Sequence, residues 1–367
     1  MSAPSPGSAR PPEGVQENLG AARRFPVSAV VTPAALSIRA LTPADLQAVV
    51  AIDANIEGHS RSAYVQRRLA AAVREPALHA QFAVSDSTHL VGYILARVLH
   101  GEFGRDQPAL RLEMVGVHPA ARSHGAGRML FDTLSGWAAR HGIGELRTAA
   151  RWNDTTMAHW LDAMGFVLAP GLILDCAVDG RTQEPETDAQ IVAEHGQGPG
   201  HEIDFGLPQA NDFERQAQHG PEVRAMATQD LRAIVRIDRS ITGRDRTAYI
   251  ASRLGEAMDN SAIRVSLSAC RDGAIVGYLM ARADLGDFGR TAAVAVIDTI
   301  GVDTDHARQG VGQALLRELF ANLGALQVDR VETIVPWADI ALQAFFQRSG
   351  FTPTQRLPFM RRMDPAP

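Results

Sequence analysis

Apolar and polar positions alternate along this chain in strand-like and helix-like rhythms, and one succession of rhythms is written twice. In the first half, Ser37-Ile38-Arg39-Ala40 has strand character. Thr42-Pro43-Ala44-Asp45 follows, where Thr42 can cap a helix opening on Pro43, and Leu46, Val49, Val50 and Ile52 give that helix an apolar face. Helical spacing runs to about Arg74, and strands are predicted around Gln81 to Val84 and Leu90 to Val98. Another strand ends at Val117 and passes through a glycine-bearing loop into a helix. A strand near Leu146 to Ala150, a helix and closing strands complete the half. The second half keeps this order, with helical spacing from Thr228 to about Met258 and strands at Ile263 to Ala269 and Ala274 to Ala283. A strand ending at Val302, the loop with its helix, and a strand at Val331 to Val335 follow. The pattern predicts a mixed α/β (α+β) fold in which each half folds sheet and helices together.

The repetition extends to identities. Ile52-Asp53 matches Ile237-Asp238, Ala63-Tyr64 matches Ala248-Tyr249, Val91-Gly92-Tyr93 matches Val276-Gly277-Tyr278, and Gly125 and Gly127 match Gly310 and Gly312. Every pair lies 185 residues apart, with no net insertion from Ile52 to Phe166. Solenoid units run to roughly 20 to 50 residues, so a period this long marks a tandem duplication of a globular domain. Domains are expected at residues 36–180 and 221–367. Residues 1–35 are rich in Pro, Ala, Ser and Gly without periodicity and are expected to form a disordered tail. Arg23-Arg24 before a mildly apolar stretch has the outline of an export signal, but Pro26 and Pro33 interrupt that stretch. Residues 181–220, rich in Gly, Gln, Glu, Asp and His, are expected to be a linker.

Composition narrows the function. An apolar fraction of 46% over 367 residues is ample for two cores. The net charge of −5, without a basic block, disfavours nucleic acid and acidic membranes as partners. Cys176 and Cys270 are the only cysteines and lie in different halves, which rules out a disulfide framework and fits a reducing, cytoplasmic setting. No run approaches the roughly 18 apolar residues of a membrane span. There is no phosphate-binding G-x-x-x-x-G-K-[ST], no H-E-x-x-H and no nucleophile elbow. His118 and His124 lack metal-ligand spacing, and no metal is expected.

The chemistry concentrates at the two loops. The first reads Arg122-Ser123-His124-Gly125-Ala126-Gly127, between the strand end Val115-Gly116-Val117 and a helix opening near Arg128. The second reads Ala307-Arg308-Gln309-Gly310-Val311-Gly312, between Ile300-Gly301-Val302 and a helix containing Gln313. Glycine lets the main chain approach a diphosphate, while successive N–H groups and the helix dipole hold its charge.

In this strand–loop–helix setting, and with Gly165-Phe166 and Gly350-Phe351 closing each copy, the sequence resembles the GNAT superfamily of acyl-CoA-dependent N-acyltransferases. That family's [Q/R]-x-x-G-x-[G/A] signature wraps the pyrophosphate of coenzyme A. The resemblance covers nearly all of each half. It implies two tandem GNAT-like domains, each a mixed, mainly antiparallel sheet flanked by helices, with acetyl-CoA as cofactor. Implied too is transfer of an acetyl group to a primary amine of a small molecule or a protein lysine. By the same resemblance, cofactor binding falls to Val115, Gly116, Val117, Arg122, Ser123, His124, Gly125, Ala126, Gly127 and Arg128. In the second copy it falls to Ile300, Gly301, Val302, Arg308, Gln309, Gly310, Val311, Gly312 and Gln313. Ala307 departs from the signature, standing where Arg or Gln is usual.

The resemblance further implies a base that deprotonates the amine, and Glu113 and Asp298 match a position where some members carry it. A strand carboxylate paired with a neighbouring Arg is the alternative. Where many members place a Tyr that protonates the departing thiolate, this chain has Leu161 and Phe346. Asp154 and Asp339 stand where many place an Asn, and an Asp there suits the helix dipole. The opening helices repeat Asp53, Arg61, Tyr64 and Arg68 as Asp238, Arg246, Tyr249 and Arg253. Arg61, Tyr64, Arg246 and Tyr249 are thus candidate acceptor contacts, with salt bridges fastening helix to sheet as the alternative. Phe103-Gly104-Arg105 and Phe288-Gly289-Arg290 are candidate lids, and Trp152 and Trp337 are expected to pack in the core or a pocket wall. A non-catalytic acyl-CoA sensor, or one active half on a structural half, remains a competing reading. The halves are expected to pack as a pseudo-dimer within a monomer, or the chain as a homodimer.

Overall fold

In the computed structural model, which describes residues 35–87, 89–100, 105, 107–178, 220–259, 264–285 and 293–363, the duplicated pattern becomes two seven-stranded sheets. The expected tail and linker lie outside these residues except for Ala35 and Gly220.

Strand β1 (Ser37–Ala40) leads to a single 3₁₀ turn at Pro43–Asp45 before helix α1 (Leu46–Glu57) begins. Thr42 is the N-cap of this turn, which opens on Pro43 as expected, and Asp45 reaches back to accept from the Thr42 N–H (2.9 Å) and hydroxyl (3.0 Å). Gly58, at φ 75°, ends α1 in the left-handed conformation that suits glycine, and α2 (Ser62–Arg74) follows. The chain continues through β2 (His79–Ser85), β3 (Leu90–Leu99), β4 (Ala109–Val117), α3 (Ala126–Arg140), β5 (Glu145–Arg151), α4 (Thr155–Ala163), β6 (Val167–Leu168) and β7 (Gly171–Ala177). The second half repeats this as β8 (Glu222–Ala225), α5 (Leu231–Thr242), α6 (Thr247–Asp259), β9 (Arg264–Arg271), β10 (Ala274–Leu285) and β11 (Ala293–Val302). Then come α7 (Val311–Ala325), β12 (Arg330–Pro336), α8 (Ile340–Arg348), β13 (Thr352–Pro353) and β14 (Arg356–Arg362).

The sheet orders depart from the sequence reading in one respect. The first sheet runs β1-β2-β3-β4-β5-β14-β6 and the second β8-β9-β10-β11-β12-β7-β13, so each half gives its last strand to the other. Strand β14 pairs antiparallel with β5 from Arg356 opposite Arg151 to Arg362 opposite Glu145. Likewise β7 pairs with β12 from Gly171 opposite Pro336 to Ala177 opposite Arg330. The junctions are sewn by Trp152 N–H to Gln355 O (3.0 Å) and, 185 residues on, Trp337 N–H to Pro170 O (3.3 Å). Arg361 reaches across to donate to Met164 O (2.5 Å) and lies over the Phe131 ring. Residues 36–363 therefore form one compact unit, and the boundary expected at 180/221 divides the sequence repeat but not the sheets.

Each sheet is buried on both faces. Leu110, Leu130, Leu134 and Phe166 centre the core beneath α3 and α4, while Val49, Val65, Tyr93 and Met114 centre the one beneath α1 and α2. The second half matches these cores, the larger one built around Leu315, Leu319, Phe346 and Phe351. Among the described residues no helix is long and apolar enough to cross a membrane.

Candidate functional site

Both glycine loops open their helices on a left-handed glycine. Gly125 (φ 85°) is the N-cap of α3 and Gly310 (φ 81°) that of α7, and no side chain caps either helix. Ser123 and Arg308, two residues upstream, also hold positive φ, 64° and 61°. Left-handed residues spaced this way turn successive N–H groups into one concavity, and the helix dipole adds positive potential. A Cβ at Gly125 or Gly310 would meet nothing within 4 Å, so the space before each helix is open. Glycine's role is different at the next position. A Cβ on Gly127 would meet the Trp160 indole at 3.0 Å, and one on Gly312 the Phe345 ring at 2.9 Å, so these glycines let α4 and α8 pack close. Ala126 and Val311 are buried beneath the loops.

The two loops are tethered differently. Arg122 folds back to donate from Nε to Val117 O (3.3 Å), and His124 Nδ1 lies 2.8 Å from Arg122 O. Arg128 points along α3 to Ala163 O (3.4 Å). Where Ala307 replaces Arg122, the loop is held by Gln309, which donates to Asp305 O (3.0 Å) and accepts from Arg271.

Beside each loop the sheet forks. Parallel pairing between β4 and β5 covers Leu110 with Leu146 and Arg111 with Arg147, and pairing between β11 and β12 covers Val294 to Val296. Beyond those residues β5 and β12 pair with the exchanged strands on their other sides, and Val115-Gly116-Val117 and Ile300-Gly301-Val302 run on towards the loops. A threonine hydroxyl crosses each fork: Thr148 to Leu112 O (2.9 Å) and Thr333 to Ile297 O (3.1 Å). Sequence pattern gave no hint of these two. At the fork each central strand carries a β-bulge, with register passing from Leu95–Met114 to Ala96–Leu112 and from Met280–Thr299 to Ala281–Ile297. The residues left over are Glu113 and Asp298, so both candidate bases sit at the place where the ladder is re-aimed.

Both carboxylates are buried and ion-paired. Glu113, 4% exposed, lies 3.0 Å from Arg68 Nη2 of α2 and 3.0 Å from Arg97 Nε of β3, while Asp298 pairs with Arg282. The alternative of a strand carboxylate held by a neighbouring Arg thus describes their ground state. Tyr64 and Tyr249 are also buried, with the guanidiniums of Arg68 and Arg253 over their rings at 5.1 and 5.5 Å.

Arg61 and Arg246 stand in the salt-bridge arrangement that was the alternative to an acceptor contact. Arg61 Nε donates to Asp53 (2.7 Å) and Arg246 Nη1 to Asp238 (2.8 Å), and both side chains are enclosed. Tyr93 and Tyr278 donate to the same carboxylates at 2.7 and 2.6 Å. Burial, reinforced by the adjacent Asp charge, pushes both tyrosine hydroxyls well above their ordinary value. Burial opposes the charge of Arg61, but its bond to Asp53 raises it overall. A guanidinium so engaged fastens α1 and α2 to the sheet. The tyrosine rings also explain the strand glycines, since a Cβ on Gly116 would lie 2.6 Å from Tyr93 and one on Gly301 2.5 Å from Tyr278.

Other expectations divide. Asp154 and Asp339 cap α4 and α8, accepting from Met157 N–H (3.0 Å) and Leu342 N–H (2.9 Å). Leu161 and Phe346 are fully buried core residues. Trp152 and Trp337 are 62% and 55% exposed, not packed inside as expected, because the junctions hold their backbones while the indoles project outward. Of the candidate lids only Arg105 is described, and it donates to Glu145 (2.5 Å); 103–104 and 288–290 lie outside the described residues.

Each half thus sets an uncapped helix N-terminus beside a parallel strand pair that splits at a bulge. The profile of the acetyltransferase (GNAT) family matches residues 46–166 and 231–351, and the chain belongs to that family. A tandem GNAT protein from the clavulanic acid biosynthesis pathway, solved without AcCoA, is 19% identical, with 91% of this chain and 100% of that one covered and a TM-score of 0.57. A GCN5-related N-acetyltransferase from Sphaerobacter thermophilus is 18% identical over 90% of this chain and 97% of its own, with a TM-score of 0.56. At these identities the likeness is one of fold. No curated protein matches the chain.

Proposed function

We propose that the protein is an N-acetyltransferase that takes its acyl group from acetyl-CoA and passes it to a primary amine of a small molecule or a protein lysine. The observation that carries this reading is the twofold occurrence of an uncapped, glycine-started helix beside a forked parallel strand pair. The residues present fit the cofactor: Gly125 and Gly310 open α3 and α7 with no side-chain cap and with space beside them, and beyond the parallel pairing Val115–Val117 and Ile300–Val302 offer strand edges to an extended arm. When bound, acetyl-CoA supplies a thioester carbonyl at the fork.

The chain's own residues then order the acceptor side. Glu113 in the first half, or Asp298 in the second, accepts the proton of the incoming ammonium, directly or through water, so that the amine lone pair is free. Bound there, acetyl-CoA would supply the acyl carbon, the C–S bond breaking as the C–N bond formed, and the proton shed by the acylated nitrogen would reach the departing thiolate through water, since Leu161 and Phe346 have none to give. Arg68 and Arg97 hold Glu113 at the bulge, and the Thr148 hydroxyl ties β5 to Leu112 O of β4 at the fork.

A calorimetric titration of the whole chain with acetyl-CoA, paired with a free-thiol assay over an amine panel, tests the reading. Two bound equivalents and amine-dependent thiol release are expected. No binding would overturn it. Binding without thiol release would establish the second reading, an acyl-CoA-binding sensor, which the buried Leu161 and Phe346 favour.

A further inference from the structure

Of the four tryptophans, Trp137 stacks on His141 and Trp160 packs edge-on against Phe131. Trp152 and Trp337 are the pair that repeats at the 185-residue offset, and they are the two whose indoles are mostly exposed. A single exposed apolar side chain is ordinary on a protein surface, so what carries weight is where these two stand.

Both continue a strand. The Trp152 N–H to Gln355 O bond adds one residue to the ladder that pairs Arg151 with Arg356, and the Trp337 N–H to Pro170 O bond does the same after Pro336 and Gly171. Side chains alternate between the faces of a strand, and Leu146 and Ala150 of β5 belong to the core beneath α3 and α4. Trp152, two residues beyond Ala150, keeps to that face. Trp337 follows Val331 and Val335 to the face of α7 and α8 in the same way. The pair Leu110–Leu146 then sets the height. Val117 lies seven residues beyond Leu110 and Trp152 six beyond Leu146, and the bulged residue Glu113 accounts for the difference. Val302 and Trp337 hold the same places beyond Ala295 and Val331, with Asp298 as the extra residue. Each indole therefore stands at the open end of its fork, level with the strand end that leads into the glycine loop and on the face that carries that loop's helix.

We infer that Trp152 and Trp337 are the apolar walls of the two fork mouths, against which the pantetheine arm of acetyl-CoA packs. This rests on the N-acetyltransferase reading and adds to the donor site two residues outside the glycine loops and their strands. A diphosphate held at Gly125 or Gly310 and a thioester delivered to the bulge leave the arm to cross this height, while the adenosine lies on the other side of the diphosphate. The amides of the arm find partners along a strand edge. Its dimethyl-bearing carbon finds none, and it gains by covering an indole that otherwise faces water.

The test titrates the full chain calorimetrically with acetyl-CoA and with 3′-phosphoadenosine 5′-diphosphate, which has the nucleotide and the diphosphate but no arm. Covering about 60 to 100 Å² of apolar surface is worth roughly 10- to 70-fold in affinity. Trp152→Ser should weaken acetyl-CoA by that factor at one of two sites and leave the affinity for the fragment unchanged. Trp337→Ser should do the same at the other site, and Trp152→Phe, which keeps a ring, should recover most of the loss. Because both indoles lie outside the cores, thermal unfolding of these variants should match wild type. Equal weakening of acetyl-CoA and the fragment would assign the indole to the nucleotide and overturn the inference, as would unchanged affinity for both. A wild-type dimer that dissociates in either Ser variant, with acetyl-CoA affinity kept, would give the indoles to an interface between copies and overturn it too. Wild-type chain that binds no acetyl-CoA would remove the transferase reading as well, whereas wild-type binding that survives both Ser variants removes only the role of the indoles.

Discussion

Gly125→Glu places a carboxylate at the N-cap of α3, at a backbone φ of 85° and with no atom within 4 Å of the new Cβ. The fold should tolerate it. A non-glycine residue in the left-handed region costs about 1 to 2 kcal/mol, and an acidic group at a helix N-terminus returns about 0.3 to 1. The net loss is on the order of 1 kcal/mol. Binding should respond differently, because the carboxylate enters the proposed diphosphate site. Two unit charges about 5 Å apart repel by roughly 1 kcal/mol at a water-like dielectric and roughly 3 at an effective value of 20. Two phosphate charges double this, to roughly 2 to 6 kcal/mol, or about 30-fold to beyond 10⁴-fold in affinity. Calorimetry should therefore show acetyl-CoA stoichiometry falling from two to one per chain, with thermal unfolding shifted by only a few degrees. Gly125→Ala, which adds the strain without the charge, should keep both equivalents. A Glu variant that still binds two with wild-type affinity would refute the cradle, and one that unfolds would refute the claim that the space is open.

Three further outcomes are expected. Tyr93→Phe and Tyr278→Phe each remove a hydroxyl that donates to a buried, ion-paired carboxylate, and urea unfolding should show roughly 1.5 to 3 kcal/mol lost in each, similar in size because the networks are copies. A chain ending at Gln355 lacks β14 and should lose acetyl-CoA binding in the first half, although the deletion is at the far end of the sequence; a calorimetric trace unchanged from wild type would show that β5 does not need its exchanged neighbour. Stability should fall as pH drops from about 4 towards 2, because folded-state values below the unfolded one stabilise only where the carboxyl is ionised. The hydrogen bond from Arg39 holds Asp45 down to about 2; for Asp230, burial pushes upward but bonds from Arg224, Ala227 N–H and Ser268 prevail. With Arg39 half exposed, the Asp45 contribution is on the order of 1 kcal/mol, and Asp45→Asn should flatten the acid limb by that amount.

The sequence by itself determined the duplication, the order of elements and the two loops, because those are local properties. Periodicity records which face of a helix or strand is buried, and a glycine whose backbone must turn left-handed records itself at Gly125 and Gly310. Asp154 and Asp339 were legible as residues favourable to a helix start for the same reason. What the residues beyond the loop do depended on partners far along the chain. Arg61 and Arg246 have the composition of an acceptor contact, yet Asp53 and Asp238 claim them once the helices pack. Trp152 and Trp337 have the composition of core residues, yet the junctions leave their indoles outside.

Tertiary structure alone decided the exchange of β7 and β14, since which sheet a closing strand joins is set by long-range pairing that local periodicity does not record. It also brought Glu332 and Arg356, distant in sequence, together as a buried ion pair. Burial and charge balance are properties of that meeting, and a one-dimensional pattern does not contain them.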